Sequence, residues 1–279
     1  MYNPVRVKQS EIFQLLLLDI LYAQSGSENI IFQGGTALRW VYGGGRFSED
    51  LDFVVQPPIS RIHGLLSRIE GQLNAGCIAQ FGPGTMEQKP RRGRPSALKR
   101  LFVYRPEHQR ERIAVRLEFE ALKPGRRPRC GPHVLRELSQ VSGLIAGGRL
   151  FLPYRSTIVL AETLEEILSD KIRALFERGF IKGRDVYDYW WITTQLQAQV
   201  EWSALRRKLT MYEAPFVAAR AADFFQTSKG QAAVREALEA DLPRFVQPNL
   251  FSLHQNEDFK RLIEPLGKLP VDQIRAAFD

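Results

Sequence analysis

Two aspartates two residues apart, in the run Arg46-Phe47-Ser48-Glu49-Asp50-Leu51-Asp52-Phe53, constrain this chain more than any other feature. Phe47, Leu51, Phe53 and Val54 mark a buried strand, and residues i and i+2 of a strand share one face. Asp50 and Asp52 therefore converge on one spot, with Ser48 on the same face by the same rule. Two carboxylates brought together on a buried strand repel each other and are costly without a partner. A hard divalent cation with oxygen ligands removes that cost, and Mg²⁺ is commonly shared with substrate phosphates. The competing reading is a solvated strand end carrying two harmless acids. Two metal positions would need a third carboxylate on that face. The strand 113–119 offers Glu118, with Glu120 as its same-face neighbour, and Glu118 is preferred.

Upstream, Ile30-Ile31-Phe32 reads as a short apolar strand, and Gly34-Gly35 turns the chain into a helix from Thr36 to about Tyr42. Gly43-Gly44-Gly45 ends that helix, because three glycines cannot sustain one. A glycine pair is by itself a weak signal, since most such pairs are only turns. Between a strand and a helix it exposes backbone N–H groups and a helix N-terminus to phosphate, and Thr36 adds a hydroxyl donor.

The rest of the chain falls into two patterns. Residues 10–24 read as an amphipathic helix with Ser10 as N-cap, and Leu51 to Val55 as a strand stopped by Pro57-Pro58. Residues 60–75 place Ile62, Leu65, Leu66, Ile69 and Leu73 at helical spacing. A polar loop carrying Lys89, Arg91, Arg92, Arg94, Lys99 and Arg100 then leads into an antiparallel pair, Leu101–Tyr104 with Ile113–Phe119. A second basic loop runs from Lys123 to Arg129. From Thr163 the pattern is helical: Thr163 and Glu166 form a capping-box pair for a helix to about Arg178, and the next runs from Arg184 to about Gln197. The remainder is helical, broken near Pro243 and Pro265. The expected plan is an α/β (α+β) core over residues 1–155 and a helical region over 156–279 that completes the active-site cleft.

Lys171 is the oddity of the helical part. It falls inside the apolar stripe of Leu164, Ile167, Leu168, Ile172, Leu175 and Phe176. Either it snorkels out or it faces an anion. Asp185, near the next helix start, is a cap-region acid, a partner for Lys171 or a residue that orients the metal site. Charge adds a class of partner: 39 Lys and Arg against 31 Asp and Glu give a net charge of +8 and a pI of about 9.6. That balance favours polyanions. The basic loops, with Phe102 and Tyr104 near them for stacking, suit electrostatic capture of an RNA backbone; solvated surface is the bland alternative. Cys77 and Cys130 are too few for a disulfide framework, and four dispersed histidines exclude a histidine-rich metal site. Asp19 cuts the run Leu15–Leu18 well short of a membrane span, and no secretory signal opens the chain, so no membrane partner and a cytoplasmic location are expected.

The run Phe32-Gln33-Gly34-Gly35-Thr36-Ala37-Leu38-Arg39 followed by Arg46 to Phe53 resembles the AbiEii/AbiGii toxin family of nucleotidyltransferases. Leu164 to Leu175, with Arg178 and Arg184-Asp185-Val186-Tyr187-Asp188, resembles the same family's second block. The resemblance covers roughly residues 12–195. It implies a polymerase-beta-like nucleotidyltransferase core with a mixed sheet flanked by helices, and a helical C-terminal region. It implies a toxin of a type IV toxin–antitoxin or abortive-infection system, with a separately encoded antitoxin. Some relatives add nucleotides to the tRNA acceptor end and block aminoacylation. Carried onto this chain, Gly34, Gly35 and Thr36 would hold NTP phosphates, and Asp50, Asp52 and Glu118 would bind two Mg²⁺ ions. Lys171 would neutralise the triphosphate, Asp185 matches the family's Arg-Asp motif, and Ser48 matches a serine beside the metal aspartates that could be modified. The expected reaction is metal-dependent transfer of NMP from an NTP to an RNA 3′-hydroxyl, tRNA foremost. The alternatives are modification of a protein or small molecule, and a non-catalytic toxin that binds RNA or nucleotide.

Overall fold

The computed structural model describes residues 2–56, 58–92, 94–154 and 156–278. Pro57, expected to stop a strand, and Arg155, at the expected end of the core, lie outside the described residues. The chain divides into two compact units, Pro4–Gly43 with Ser48–Glu162, and Met1–Asn3 with Gly44–Phe47 and Thr163–Asp279.

The first unit opens with α1 (Pro4–Tyr22), which starts well before the expected cap. Proline suits a first helical turn, where its missing N–H would be unpaired anyway. Ser10 is therefore a buried residue of the helix interior, not its N-cap. From Ile12 to Tyr22 every residue of α1 is buried, so it is a core helix with no polar face over that stretch, not an amphipathic one. Its buried acid, Asp19, is satisfied by Thr157 Oγ1 at 2.6 Å and the Tyr154 backbone N–H at 3.0 Å.

There follow β1 (Ile30–Gln33), α2 (Gly34–Val41), β2 (Asp50–Val55), α3 (Arg61–Phe81), β3 (Gly84–Arg91), β4 (Ala97–Pro106), β5 (Ile113–Ala121), β6 (Cys130–Val134), α4 (Ser139–Ala146) and β7 (Ile158–Glu162). Among the described residues these strands form one seven-stranded sheet in the order β3-β4-β5-β2-β1-β7-β6. It is mixed: β2–β5 and β1–β7 are parallel, and the other neighbours are antiparallel. The five apolar residues named for α3 are all buried. On β5, Ile113, Val115, Leu117, Phe119 and Ala121 are buried, while Arg116, Glu118 and Glu120 between them are half-buried. Phe53 stacks on Phe119 with centroids 4.9 Å apart and tilts against Phe32 at 5.5 Å, fixing the apolar face of β1, β2 and β5. The opposite face is left to the polar residues.

The first basic loop is mostly a hairpin. Lys89 and Arg91 lie on β3, Lys99 and Arg100 on β4, and the two strands pair from Gly84↔Pro106 to Arg91↔Lys99. As an edge strand β3 has no residue buried, so it carries no apolar alternation, and an edge tolerates Pro90. Phe102 and Tyr104 are fully buried on β4 and are not available to stack on a nucleic acid, contrary to expectation.

The second unit is helical: α5 (Leu164–Glu177), α6 (Gly183–Trp190), α7 (Trp202–Met211), α8 (Ser228–Asp241), α9 (Pro248–Asn256), α10 (Lys260–Gly267) and α11 (Val271–Phe278). Thr163 sits at the N-cap of α5, but its side chain makes no capping hydrogen bond. Glu166 is fully buried instead of reaching back, 3.3 Å from Arg207 and 3.5 Å from Lys208 of α7, so the capping box does not form. Helix α6 ends at Trp190, and a π-turn over Trp191–Gln195 completes the segment expected as one helix. Pro243 lies in a 3₁₀ turn, but Pro265 sits inside α10, near the end of a helix too short to be broken in two. Among the described residues no helix is long and apolar enough to cross a membrane.

Candidate active site

The sheet register brings the predicted carboxylates side by side. In the parallel pairing of β2 with β5, Asp50 lies level with Arg116, Asp52 with Glu118 and Val54 with Glu120. Glu118 is thus the glutamate beside Asp52, and Glu120 is one step further along. Side chains level on neighbouring strands point to the same face, so Asp50, Asp52, Arg116 and Glu118 share it. The alternation rule does not reach Ser48, because β2 begins at Asp50; Ser48 is buried, and its carbonyl accepts from Gln14 Nε2 at 2.6 Å.

The charges on this ledge are balanced from within the sheet. Arg116 grips Asp50 with two prongs, Nε to Oδ1 at 3.0 Å and Nη2 to Oδ2 at 2.9 Å. The same guanidinium lies 3.3 Å from Glu118 Oε1, and Lys99 donates to Glu118 Oε2 at 2.6 Å. Burial would lower the Arg116 pKa, but Asp50, Glu118 and Asp52 outweigh it and hold it above its ordinary value.

The glycine pair is built against this ledge. Gly34 has φ +77°, a left-handed conformation that disfavours side chains, and an added Cβ would stand 2.9 Å from Asp52 Oδ2. Glycine therefore lets the first turn of α2 approach the Asp52 carboxylate. Gly35 is buried, and Thr36, fully buried, donates its hydroxyl to the Asp50 carbonyl. The hydroxyl expected to meet phosphate is thus committed to fastening α2 onto β2. Beside the ledge opens a cleft of about 500 Å³, lined by Gln33, Asp52, Glu118 and Glu120 and by Arg92, Arg94 and Lys99 of the basic hairpin.

Among the described residues, no group of three His, Cys, Asp or Glu side chains is gathered into a metal cage. The donor set nonetheless fits a hard divalent ion: three carboxylates on one face of adjacent strands, offering oxygen alone. The cations beside them are exchangeable, with side-chain exposures of 42% for Arg116 and 32% for Lys99. Asp50, Asp52 and Glu118 are the residues that would hold such an ion.

Lys171 and Asp185 belong to a second charge cluster, inside the helical unit. Lys171 Nζ lies 2.9 Å from Asp185 Oδ1 and 2.7 Å from Asp188 Oδ2. Arg46, from the Gly44–Phe47 segment of the same unit, forks onto Asp188 at 2.7 and 2.6 Å, and Arg178 contacts Asp185. Burial pushes the Asp185 carboxyl up, but Lys171 and Arg178 outweigh it and hold it well below the usual carboxylate range. Asp188 is held low in the same way by Arg46 and Lys171. Burial lowers the Lys171 pKa, and Asp185 and Asp188 more than restore it, so its ammonium stays charged. The sequence marked Lys171 as anomalous and offered Asp185 as a partner; it gave no sign of Asp188 or Arg46 in the cluster. Arg116 was also missed, although a cation two residues before Glu118 on one strand is a readable signal of a same-face counter-ion.

Comparison with known proteins identifies the family and the fold. The family profile that matches residues 16–279 is described as nucleotidyl transferase AbiEii toxin, type IV TA system. Among solved structures, JHP933 from Helicobacter pylori is similar with a TM-score of 0.56 and 15% identity, over 100% of this chain and 94% of that one. A second H. pylori protein, described as a candidate nucleotidyltransferase, has a TM-score of 0.55 and 17% identity over 99% of this chain and 96% of that one. At such identities the likeness establishes a shared fold alone. No curated protein matches the chain. The match over nearly the whole length decides the matter: the chain belongs to the AbiEii family of nucleotidyltransferase toxins of type IV toxin–antitoxin systems.

Proposed function

We propose that this toxin transfers a nucleoside monophosphate from an NTP to the 3′-hydroxyl of an RNA, the tRNA acceptor end foremost, and so blocks translation. One observation carries the reading: Asp52 and Glu118 line one cleft with the basic hairpin residues Arg92, Arg94 and Lys99, and the glycine-opened start of α2 approaches the Asp52 carboxylate. The acids suit divalent ions, the α2 N-terminus suits phosphate, and the hairpin suits a polyanionic acceptor.

In this reading the 3′-oxygen attacks the α-phosphorus, the bond to the β-phosphate breaks, and pyrophosphate leaves. Mg²⁺ bound at the ledge would lower the pKa of the attacking hydroxyl and stabilise the leaving group. Asp52 and Glu118, level on adjacent strands, and Asp50 beside them would supply the oxygen ligands that hold that ion. The Gly34 and Gly35 backbone cradles the phosphates, and Thr36 keeps that turn seated on β2. Lys171 is held between Asp185 and Asp188 within the helical unit, and these two aspartates keep its ammonium charged. Catalysis here is mostly positioning and charge neutralisation. The type IV system implies an antitoxin partner as well as the NTP substrate.

The test is incubation with each labelled NTP, total RNA and Mg²⁺, resolved on a denaturing gel. Label at the length of tRNA, lost with EDTA and in Asp52→Ala, is expected. Label on a polypeptide, or growth inhibition that survives loss of both Asp50 and Asp52, overturns the reading.

A further inference from the structure

Arg116 is the residue of the ledge that the proposed chemistry does not use. It holds both oxygens of Asp50 at 3.0 and 2.9 Å and reaches one oxygen of Glu118 at 3.3 Å. Those are the oxygens a divalent ion would need. A guanidinium is planar, always charged and weakly hydrated, so it competes well for a pair of carboxylates. Its backbone is fixed opposite Asp50 by the strand register, while its side chain is the most exposed of the ledge ion pairs.

We propose that Arg116 is a built-in counter-ion that competes with divalent cation for Asp50 and Glu118, and that it turns to the nucleotide phosphates when the cation binds. The inference rests on the metal-ledge reading above. It has a definite consequence. Divalent ion alone binds weakly, because it must displace Arg116. Ion arriving with NTP binds better, because the released guanidinium gains phosphate oxygens in exchange. Arg116 thereby couples metal binding to nucleotide binding and offsets part of the ledge's negative charge between turnovers.

The experiment titrates the full chain with Mn²⁺ and no nucleotide, following free Mn²⁺ by electron paramagnetic resonance. Arg116→Gln is expected to bind about tenfold tighter than wild type, the size expected from removing one adjacent positive charge in a partly solvated site. Arg116→Lys, which keeps a charge without the two-pronged grip, falls between them and serves if Arg116→Gln folds poorly. With NTP present the order reverses: the variants show a raised KM for NTP. Asp52→Asn separates the two ideas. If Mn²⁺ binding depends on Asp52 but is unchanged by both Arg116 substitutions, the counter-ion role is wrong and the metal ledge stands. If no Mn²⁺ binding depends on Asp52 in any background, the metal ledge fails and this inference fails with it.

Discussion

The ledge on the sheet and the cluster in the helical unit use the same chemistry, carboxylates held by arginine and lysine, at opposite degrees of burial. On the ledge the Arg116 and Lys99 side chains are 42% and 32% exposed. In the helical unit Lys171 is 9% and Arg46 4% exposed, and Asp188 is 1%. A pair open to water contributes little to stability and exchanges its partners freely. A buried pair is different: removing one member leaves an uncompensated charge that cannot be hydrated. The ledge ion pairs can therefore exchange partners at little cost, while the helical cluster keeps α5, α6 and the Gly44–Phe47 segment in one arrangement.

Replacing one aspartate from each region breaks the comparison most sharply. Asp52→Ala is expected to lower nucleotide incorporation about 1,000-fold or more, equivalent to about 4 kcal/mol of activation energy, with the melting transition little changed. Asp188→Ala is expected to do the reverse in kind. It removes one contact of Lys171 and both prongs of Arg46, and costs about 3 kcal/mol of stability, read from the denaturant midpoint. The acid limb of the stability curve checks the same cluster. Asp185 and Asp188 have depressed folded pKa values, so their contribution is complete above the unfolded value of about 3.9 and drains away as pH falls through the folded ones. Asp188→Asn should flatten stability between pH 5 and 3 relative to wild type (roughly the span set by the unfolded carboxylate). An unchanged acid limb would show that the cluster is not held as a unit.

What the sequence revealed follows the same division between local and distant physics. The shared face of Asp50 and Asp52 is a consequence of strand geometry two residues long, and the buried residues of α3 follow from helical period. The glycine pair was legible as a turn, but only the register and the added-Cβ distance tie it to Asp52. The long-range partners of Asp50 and Asp188 were not legible. Arg116 is 66 residues from Asp50, and Arg46 is 142 from Asp188, and no local pattern encodes which strands or helices meet. The edge strand β3 was hidden because an edge has no buried face to impose alternation, and the apparent capping box failed because Glu166 found cations on α7.

Gly34→Ala probes the ledge at an intermediate scale. The left-handed φ and the Cβ contact with Asp52 together predict a loss of about 1–2 kcal/mol. Because relief moves either α2 or the carboxylate, incorporation should fall more than stability does. A variant with unchanged activity would separate the glycine pair from the site.

The smallest effect is the most telling for the contrast. Arg116→Gln removes a bidentate ion pair, yet the Arg116 side chain is 42% exposed, so the expected stability change is under about 1 kcal/mol. Raising the salt concentration should narrow even that difference, because an exposed pair is screened. The Asp188→Ala loss, arising from a cluster closed to water, should be nearly insensitive to the same salt. If Arg116→Gln instead costs as much as Asp188→Ala at every salt concentration, the ledge is structural, and its arginine is no more exchangeable than the sealed ion pairs of the helical unit.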